Sequence, residues 1–302
     1  MSSRVKGKDN ARARAAEMRA TQARLERRRR VLGATAALVV VILVVGGLVL
    51  VKLTSGGGTT TADTKPTTAL PSSVLHGVTS VPTSTSDKVG ATGVTSVPVS
   101  VKTPALTAGG KPKMLYFGAE YCPYCAAERW PVVVALSRFG TWSGLGAVTS
   151  SSSDVFPNTP SLSFHGATFT SDFLTFTGYE TTDSNRVPLD KPSAADQKIF
   201  DTYNRPPYLS GVAGGIPFID IAGKYVSSGS SFGPELLAGQ TRAEIAQAIN
   251  DPSSKNGQAV LANANVLTAA ICQATGAKPA NVCTSSGVTA GAAALVSGQA
   301  KK

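Results

Sequence analysis

"MLYFGAEYCPYC", Met114 to Cys125, sets an apolar run directly ahead of a turn and two cysteines that are spaced by one dipeptide. A run of this length ending at Gly118-Ala119 suits a strand buried on both faces. In the continuation, AAERWPVVVALSRFG, Ala126 and Ala127 lie one turn before Trp130, and Val133 and Val134 one turn after it. That spacing predicts a helix ended by Gly140. Pro131 lacks an amide proton and crowds the carbonyl four residues back, so a kink is expected near Ala127. At such a junction the first cysteine sits beside unpaired helix N–H groups that favour its thiolate. Cys122 is therefore expected to be an exposed nucleophile, and Cys125, deeper on the helix, the thiol that resolves a mixed disulfide.

The same cysteine spacing serves zinc knuckles and c-type haem attachment. Ala126 stands where haem attachment needs His, and ten residues lie between Cys272 and Cys283. The only histidines are His76 and His165. No metal site and no cofactor is expected from this set. Nor is there a phosphate-binding loop, since Gly110-Lys111 is followed by Pro112.

Phe117 to Cys125 resembles the active-site segment of thioredoxins, which reads aromatic, Ala, Glu, aromatic and then the dithiol. Gly215-Ile216-Pro217 ahead of a hairpin is similar to that superfamily's cis-proline loop, and the resemblance implies that Ile216 and Pro217 position a substrate backbone while Tyr124 shapes the rim. It implies an α/β fold, a central mixed sheet flanked by helices, over Lys113–Asp251. Three departures stand out. The stretch between dithiol and Ile216-Pro217 is long, the usual buried acid is replaced by Tyr116, and Pro123-Tyr124 is closer to glutaredoxins and periplasmic relatives. More narrowly, GKPKMLYFGAEYCPYCAAERW, ALSRFGTW, SSSSDVFPNTPSLSF, ICQATG and ANVC resemble the membrane-anchored prokaryotic family called domain of unknown function 929.

Outward from the dithiol, LGAVTSS (Leu145–Ser151) reads as the next strand, followed by an insert over about 152–212. Its aromatics, Phe164, Phe169, Phe173 and Phe176, suit either a lid over the dithiol or an added core layer. SAADQKIFDTYN reads as a helix capped by Ser193. Phe218–Ile221 and Lys224–Val226 flank a hairpin turn. Thr241 and Glu244 have capping-box spacing. The thioredoxin-like domain is thus placed at 111–252, with an Ala-rich helical extension at 253–302. There Cys272 and Cys283, outside the cytoplasm, suit a structural disulfide, a relay dithiol being the alternative. Glu120 and Glu128, which flank the dithiol, read as exposed dipole partners ahead of a proton-transfer role, and Arg129 could help hold the thiolate but is equally suited to solvent.

The chain carries 29 Lys and Arg against 18 Asp and Glu, and most of that excess lies in residues 1–30. The basicity stops at Arg27-Arg28-Arg29-Arg30, and Val31–Val51 holds no charge. At about 1.5 Å per residue that run spans roughly 31 Å, the thickness of a bilayer core. Residues 31–52 therefore read as one retained transmembrane helix, since both the basic and apolar parts are too long for a cleaved signal peptide. The Arg cluster keeps the N-terminus cytoplasmic and places the rest outside. Without interleaved aromatics the basic tail favours lipid headgroups, and no nucleic acid partner is expected. Residues 53–110, rich in Thr, Ser, Pro and Gly, read as a flexible stalk, with GVTSVP recurring at Gly77–Pro82 and Gly93–Pro98.

The expected activity is that of a membrane-tethered, extracytoplasmic thiol-disulfide oxidoreductase. It would act on thiols or disulfides of exported proteins and need a redox partner to reset the dithiol. The alternative is a redox-inactive binding or scaffold module of the cell envelope.

Overall fold

The computed structural model describes residues 68–299. The expectations for residues 1–30, the apolar span 31–52 and the first part of the stalk lie outside them. Among the described residues no helix is long and apolar enough to cross a membrane.

The stalk expected up to residue 110 is corrected from its first described residues onward. Strand β1 (Thr68–Ala69) pairs with the later strand at Gly146–Thr149, and helices α1 (Ser72–Thr79) and α2 (Thr83–Val89) follow. Leu70, Val74, Val78, Val89 and Val97 are buried in the main core. These few apolar residues suffice because each meets a ready-made surface: a Cβ at Gly77 would meet that of Ala246 at 3.1 Å, and Asn250 Nδ2 donates to the Gly77 carbonyl at 2.7 Å. The two GVTSVP copies differ in conformation. The first ends helix α1, whereas the second is irregular and starts at Gly93 with φ 78°.

Strands β2 (Val99–Ser100), β3 (Thr107–Ala108) and β4 (Lys111–Gly118) come next, with β3 turning back onto β4 through Gly109-Gly110. The apolar run is the centre of the largest sheet. Its residues alternate between two cores, as the two-residue strand period requires. Met114 and Tyr116 enter the larger core, and Leu115 and Phe117 the smaller one on the opposite face.

Helix α3 (Pro123–Ser137) starts at the dithiol and runs through Pro131, every residue from Cys125 to Leu136 being buried. A helix enclosed on all sides must satisfy its charges internally. After it come β5 (Thr141–Ser143), β6 (Gly146–Thr149), β7 (Pro160–Ser163), β8 (Thr168–Thr170) and β9 (Thr175–Glu180). The strand LGAVTSS does not join the central sheet. It forms β6, in a separate sheet ordered β1-β6-β7, and β9 is the strand that pairs in parallel with β4, from Lys113↔Thr175 to Gly118↔Glu180. The expected insert over 152–212 is therefore corrected: its residues Thr175–Glu180 supply the neighbour of the dithiol strand. Parallel pairing needs a long crossover, and the route through α3 and β5–β8 provides it. Within that route Trp142 packs on Phe164, Phe169 and Phe176 at 5.5, 5.0 and 5.2 Å, and Phe164 reaches Tyr116 at 4.9 Å. The aromatics are a core layer and not a lid.

Helix α4 (Ala194–Tyr203), capped by Ser193, covers the smaller core and stacks Phe200 on Phe117 at 4.6 Å. Strands β10 (Phe218–Ile221) and β11 (Tyr225–Ser228) form a hairpin, and β10 lies antiparallel to β4 on the side away from β9. Helix α5 (Arg242–Ile249) begins with the Thr241/Glu244 capping box. Helices α6 (Lys255–Ala274), α7 (Ala280–Cys283) and α8 (Ser286–Gln299) complete the chain. The extension placed at 253–302 is corrected as well. Val260 to Cys272 of α6 is buried throughout, so this segment is a wall of the same core that holds α3.

Candidate active site

Cys122 is the N-cap of α3. Its sulfur accepts the backbone N–H of Cys125 at 3.2 Å, and its thiol faces the Ile216 carbonyl at 3.9 Å. The strand, the tight turn from Ala119 and the start of α3 fix this placement: Cys122 N donates to Ala119 O at 3.2 Å and Ala126 N to Cys122 O at 2.9 Å. The exposed sulfur expected from the sequence is nearly closed off. Cys122 is 6% exposed and Cys125 0%, because the Ile216 loop lies over the helix start. Both thiols are free.

The two sulfurs differ in acidity. The Cys125 side chain, by hydrogen bonding to Cys122, holds the Cys122 thiol below the usual range against the opposing effect of burial, and the N–H groups of Cys125 and Tyr124 and the charge of Arg129 add to this. Burial pushes Cys125 well above the usual range, as does its hydrogen bond to Cys122, while Arg129 pulls it back. Such a split suits one attacking and one resolving thiol.

Ile216-Pro217 is a cis peptide. Asn204 Nδ2 and Ser228 Oγ both donate to the Gly215 carbonyl, at 2.7 and 3.1 Å, and Gly229 N donates to Pro217 O at 2.8 Å. The loop is thereby tied to α4 and β11. Beside it runs a groove of about 490 Å³ bordered by Tyr124, Leu209, Val212, Gly215 and Ile216, with no charged residue in its lining. Tyr124 is 40% exposed and meets the edge of Phe156 at 5.8 Å.

Two acids are not where the sequence reading put them, and the open choice for Arg129 is decided against solvent. Glu120 is buried and accepts from Ser163 Oγ at 2.5 Å. Glu128 is buried and accepts from Ser231. Arg129, read as equally suited to solvent, is fully buried: Nε donates to Glu180 Oε1 at 2.8 Å, Nη2 to Glu180 Oε2 at 2.5 Å and to Ala119 O at 2.8 Å, and Nη1 to Ser161 Oγ at 3.3 Å. Burial alone would lower its pKa, but the facing charge of Glu180, the hydrogen bonds to it and the neighbouring acidic groups together outweigh this and keep the guanidinium charged. Glu180, Asn204 and Ser228 escaped the sequence reading altogether. For Arg129 a signal existed, since it lies four residues after Cys125 on the same face of a helix that is apolar all round.

The family model described as Domain of unknown function (DUF929) matches residues 97–206 and 194–273. The chain belongs to the DUF929 family. The DUF929 match spans the dithiol helix, the strand bearing Glu180 and most of α6, all one folded unit here. No curated protein and no solved structure matches the chain.

Cys272 and Cys283 are joined by a disulfide that links the end of α6 to α7. His165 pairs through Nδ1 with Asp190 at 2.7 Å. Among the described residues no group of three or more His, Cys, Asp or Glu is arranged to hold a metal.

Proposed function

We propose that this protein is a membrane-tethered, extracytoplasmic thiol-disulfide oxidoreductase of thioredoxin-like fold, acting on exported proteins through Cys122 and Cys125. The observation that carries the reading is the position of Cys122 Sγ, between the Cys125 N–H and the carbonyl of cis Ile216-Pro217. The order of elements supports the fold: dithiol strand, dithiol helix, parallel strand β9, helix α4, cis-proline loop, antiparallel hairpin, helix.

In the reducing direction the Cys122 thiolate attacks one sulfur of a substrate disulfide, forming a mixed disulfide and releasing one substrate thiolate. Cys125 then attacks Cys122 Sγ and closes the Cys122–Cys125 bond. The second substrate sulfur departs and is protonated, in balance with the proton Cys125 gives up. Two electrons pass from the dithiol to the substrate; the oxidising direction is the reverse. An extended substrate segment lies along Ile216, and a partner dithiol or disulfide resets the site.

The near closure of Cys122 favours a second reading, a scaffold module whose dithiol is inert. Insulin reduction and dithiol oxidation by the full chain, with Cys122→Ser as control, decide between them. Loss of both activities in the variant is expected, and equal rates for the two proteins would leave only the scaffold.

A further inference from the structure

The dithiol strand carries Tyr116 where a thioredoxin-like site would hold an acid, yet the site is not without buried charge. Glu180 stands on the neighbouring parallel strand, in register with Gly118 at the end of the dithiol strand. Arg129 stands one turn beyond Cys125 on the same face of the dithiol helix, and its bonds to Glu180 and to the Ala119 carbonyl bring both charges beside the dithiol turn. Neither charge is exposed at all. The guanidinium is fixed by two bonds to one carboxylate, one to the Ala119 carbonyl in the turn before Cys122, and one to Ser161 Oγ, which itself donates to Ala126 O at 2.9 Å. Every anchor is a part of the dithiol turn, of β7 packed on its helix, or of β9 paired with its strand.

We propose that the Arg129–Glu180 pair sets the redox poise of the dithiol. Arg129 is a positioning residue whose fixed charge supports the thiolates of Cys122 and Cys125, and Glu180 holds and moderates it. This deepens the oxidoreductase reading and rests on it. The resolving step needs a negative charge on Cys125, which is fully buried. In so dry a place a net-neutral pair with its cationic member toward the sulfurs offers support without leaving a lone buried charge. Of the two charges facing Cys125, the cationic one is the stronger. Arg129 favours the thiolate of Cys125, Glu180 opposes it less, the Tyr116 hydroxyl is neutral, and Glu120 faces Glu180.

A charge that favours thiolate stabilises the reduced form. In Arg129→Met, the equilibrium of the full chain with reduced and oxidised glutathione is expected to move about tenfold toward the protein disulfide, about 30 mV more reducing. Alkylation of Cys122 in the reduced protein is expected to need a higher pH. Glu180→Gln is expected to shift both readouts the other way, and Arg129→Lys to stay near wild type. General damage to the site would move Arg129→Met and Glu180→Gln in the same direction. If Arg129→Met does not fold, Glu180→Gln carries the test alone. Shifts of one sign, or none in folded variants, overturn the inference. A wild type inert toward insulin whose Cys122 alkylation still shifts in opposite senses would instead sink the oxidoreductase reading.

Discussion

Glu128 Oε2 accepts both the backbone N–H and the hydroxyl of Ser231, each at 2.7 Å, from a position 2% exposed. These two bonds do not offset its burial, which pushes the carboxyl up from 4.5 to about 7. A carboxyl whose pKa is raised by folding makes its full contribution below its unfolded value and loses it as pH rises through the folded one. Between pH 4.5 and about 7 the fold should therefore lose about 3 kcal/mol from this group. Glu128→Gln keeps the acceptor oxygen without the charge, so denaturant unfolding of the variant should lack this loss. Asp220, pushed up to about 6 by burial, titrates in both proteins and cancels from the comparison. Parallel pH profiles would show that Glu128 ionises freely.

Gly118 is reserved for the Tyr116 ring. A Cβ there would stand 2.5 Å from Tyr116 Oη and 2.6 Å from Cε1. Gly118→Ala should destabilise by about 2 kcal/mol through overpacking, and Tyr116→Leu in the same chain should recover part of the loss. The Tyr116 hydroxyl is buried without a protein hydrogen-bond partner. Tyr116→Phe is then expected to be neutral or to stabilise by up to about 1 kcal/mol. A loss beyond 1 kcal/mol in thermal unfolding would contradict this.

Local chemistry made much of the framework legible. The apolar run, the N-cap of α3, the Ser193 cap, the hairpin after Ile216-Pro217 and the Thr241/Glu244 box each follow from neighbours in sequence. Non-local choices were not legible. Nothing in TFTGYE marks it above LGAVTSS as the partner of β4, because the pairing joins residues about 60 positions apart in the chain. Arg129 could not be told from a solvent residue because its partner, Glu180, lies 51 residues away. Residues 68–110 looked like a stalk because composition averages over a few apolar anchors that an existing core makes sufficient.

The Cys272–Cys283 bond closes a loop of sequence separation 11. Replacing both by Ser should cost about 3 kcal/mol by loop entropy. The dithiol at Cys122 should keep its insulin activity, which separates a staple from an electron relay. Urea unfolding and the insulin assay on the same variant check both halves, and a relay would show as lost turnover in a protein still folded.

Asn265, buried in α6, joins three elements: Nδ2 donates to the Ser86 and Gly90 carbonyls at 3.0 and 2.7 Å, and Oδ1 accepts from Arg138 Nη1 at 2.8 Å. Arg138 is itself half-buried, its pKa brought down to about 10 by loss of solvent, and also reaches Ser86 Oγ and Thr268 Oγ1 at 2.9 Å each. Asn265→Leu would leave the Gly90 carbonyl and part of a guanidinium without these partners, and the Ser86 carbonyl with the Gly90 N–H alone, at a cost of about 3 kcal/mol. Asn263, also buried on α6, bonds only to the Ala259 carbonyl of its own helix, so Asn263→Ala should cost about 1 kcal/mol or less. Because Ser86 and Gly90 hold the N-terminal helices to α6, limited proteolysis of Asn265→Leu should cut first at residues 80–97. Equal stability losses in the two variants, with unchanged cleavage, would mean that this segment is not anchored through Asn265.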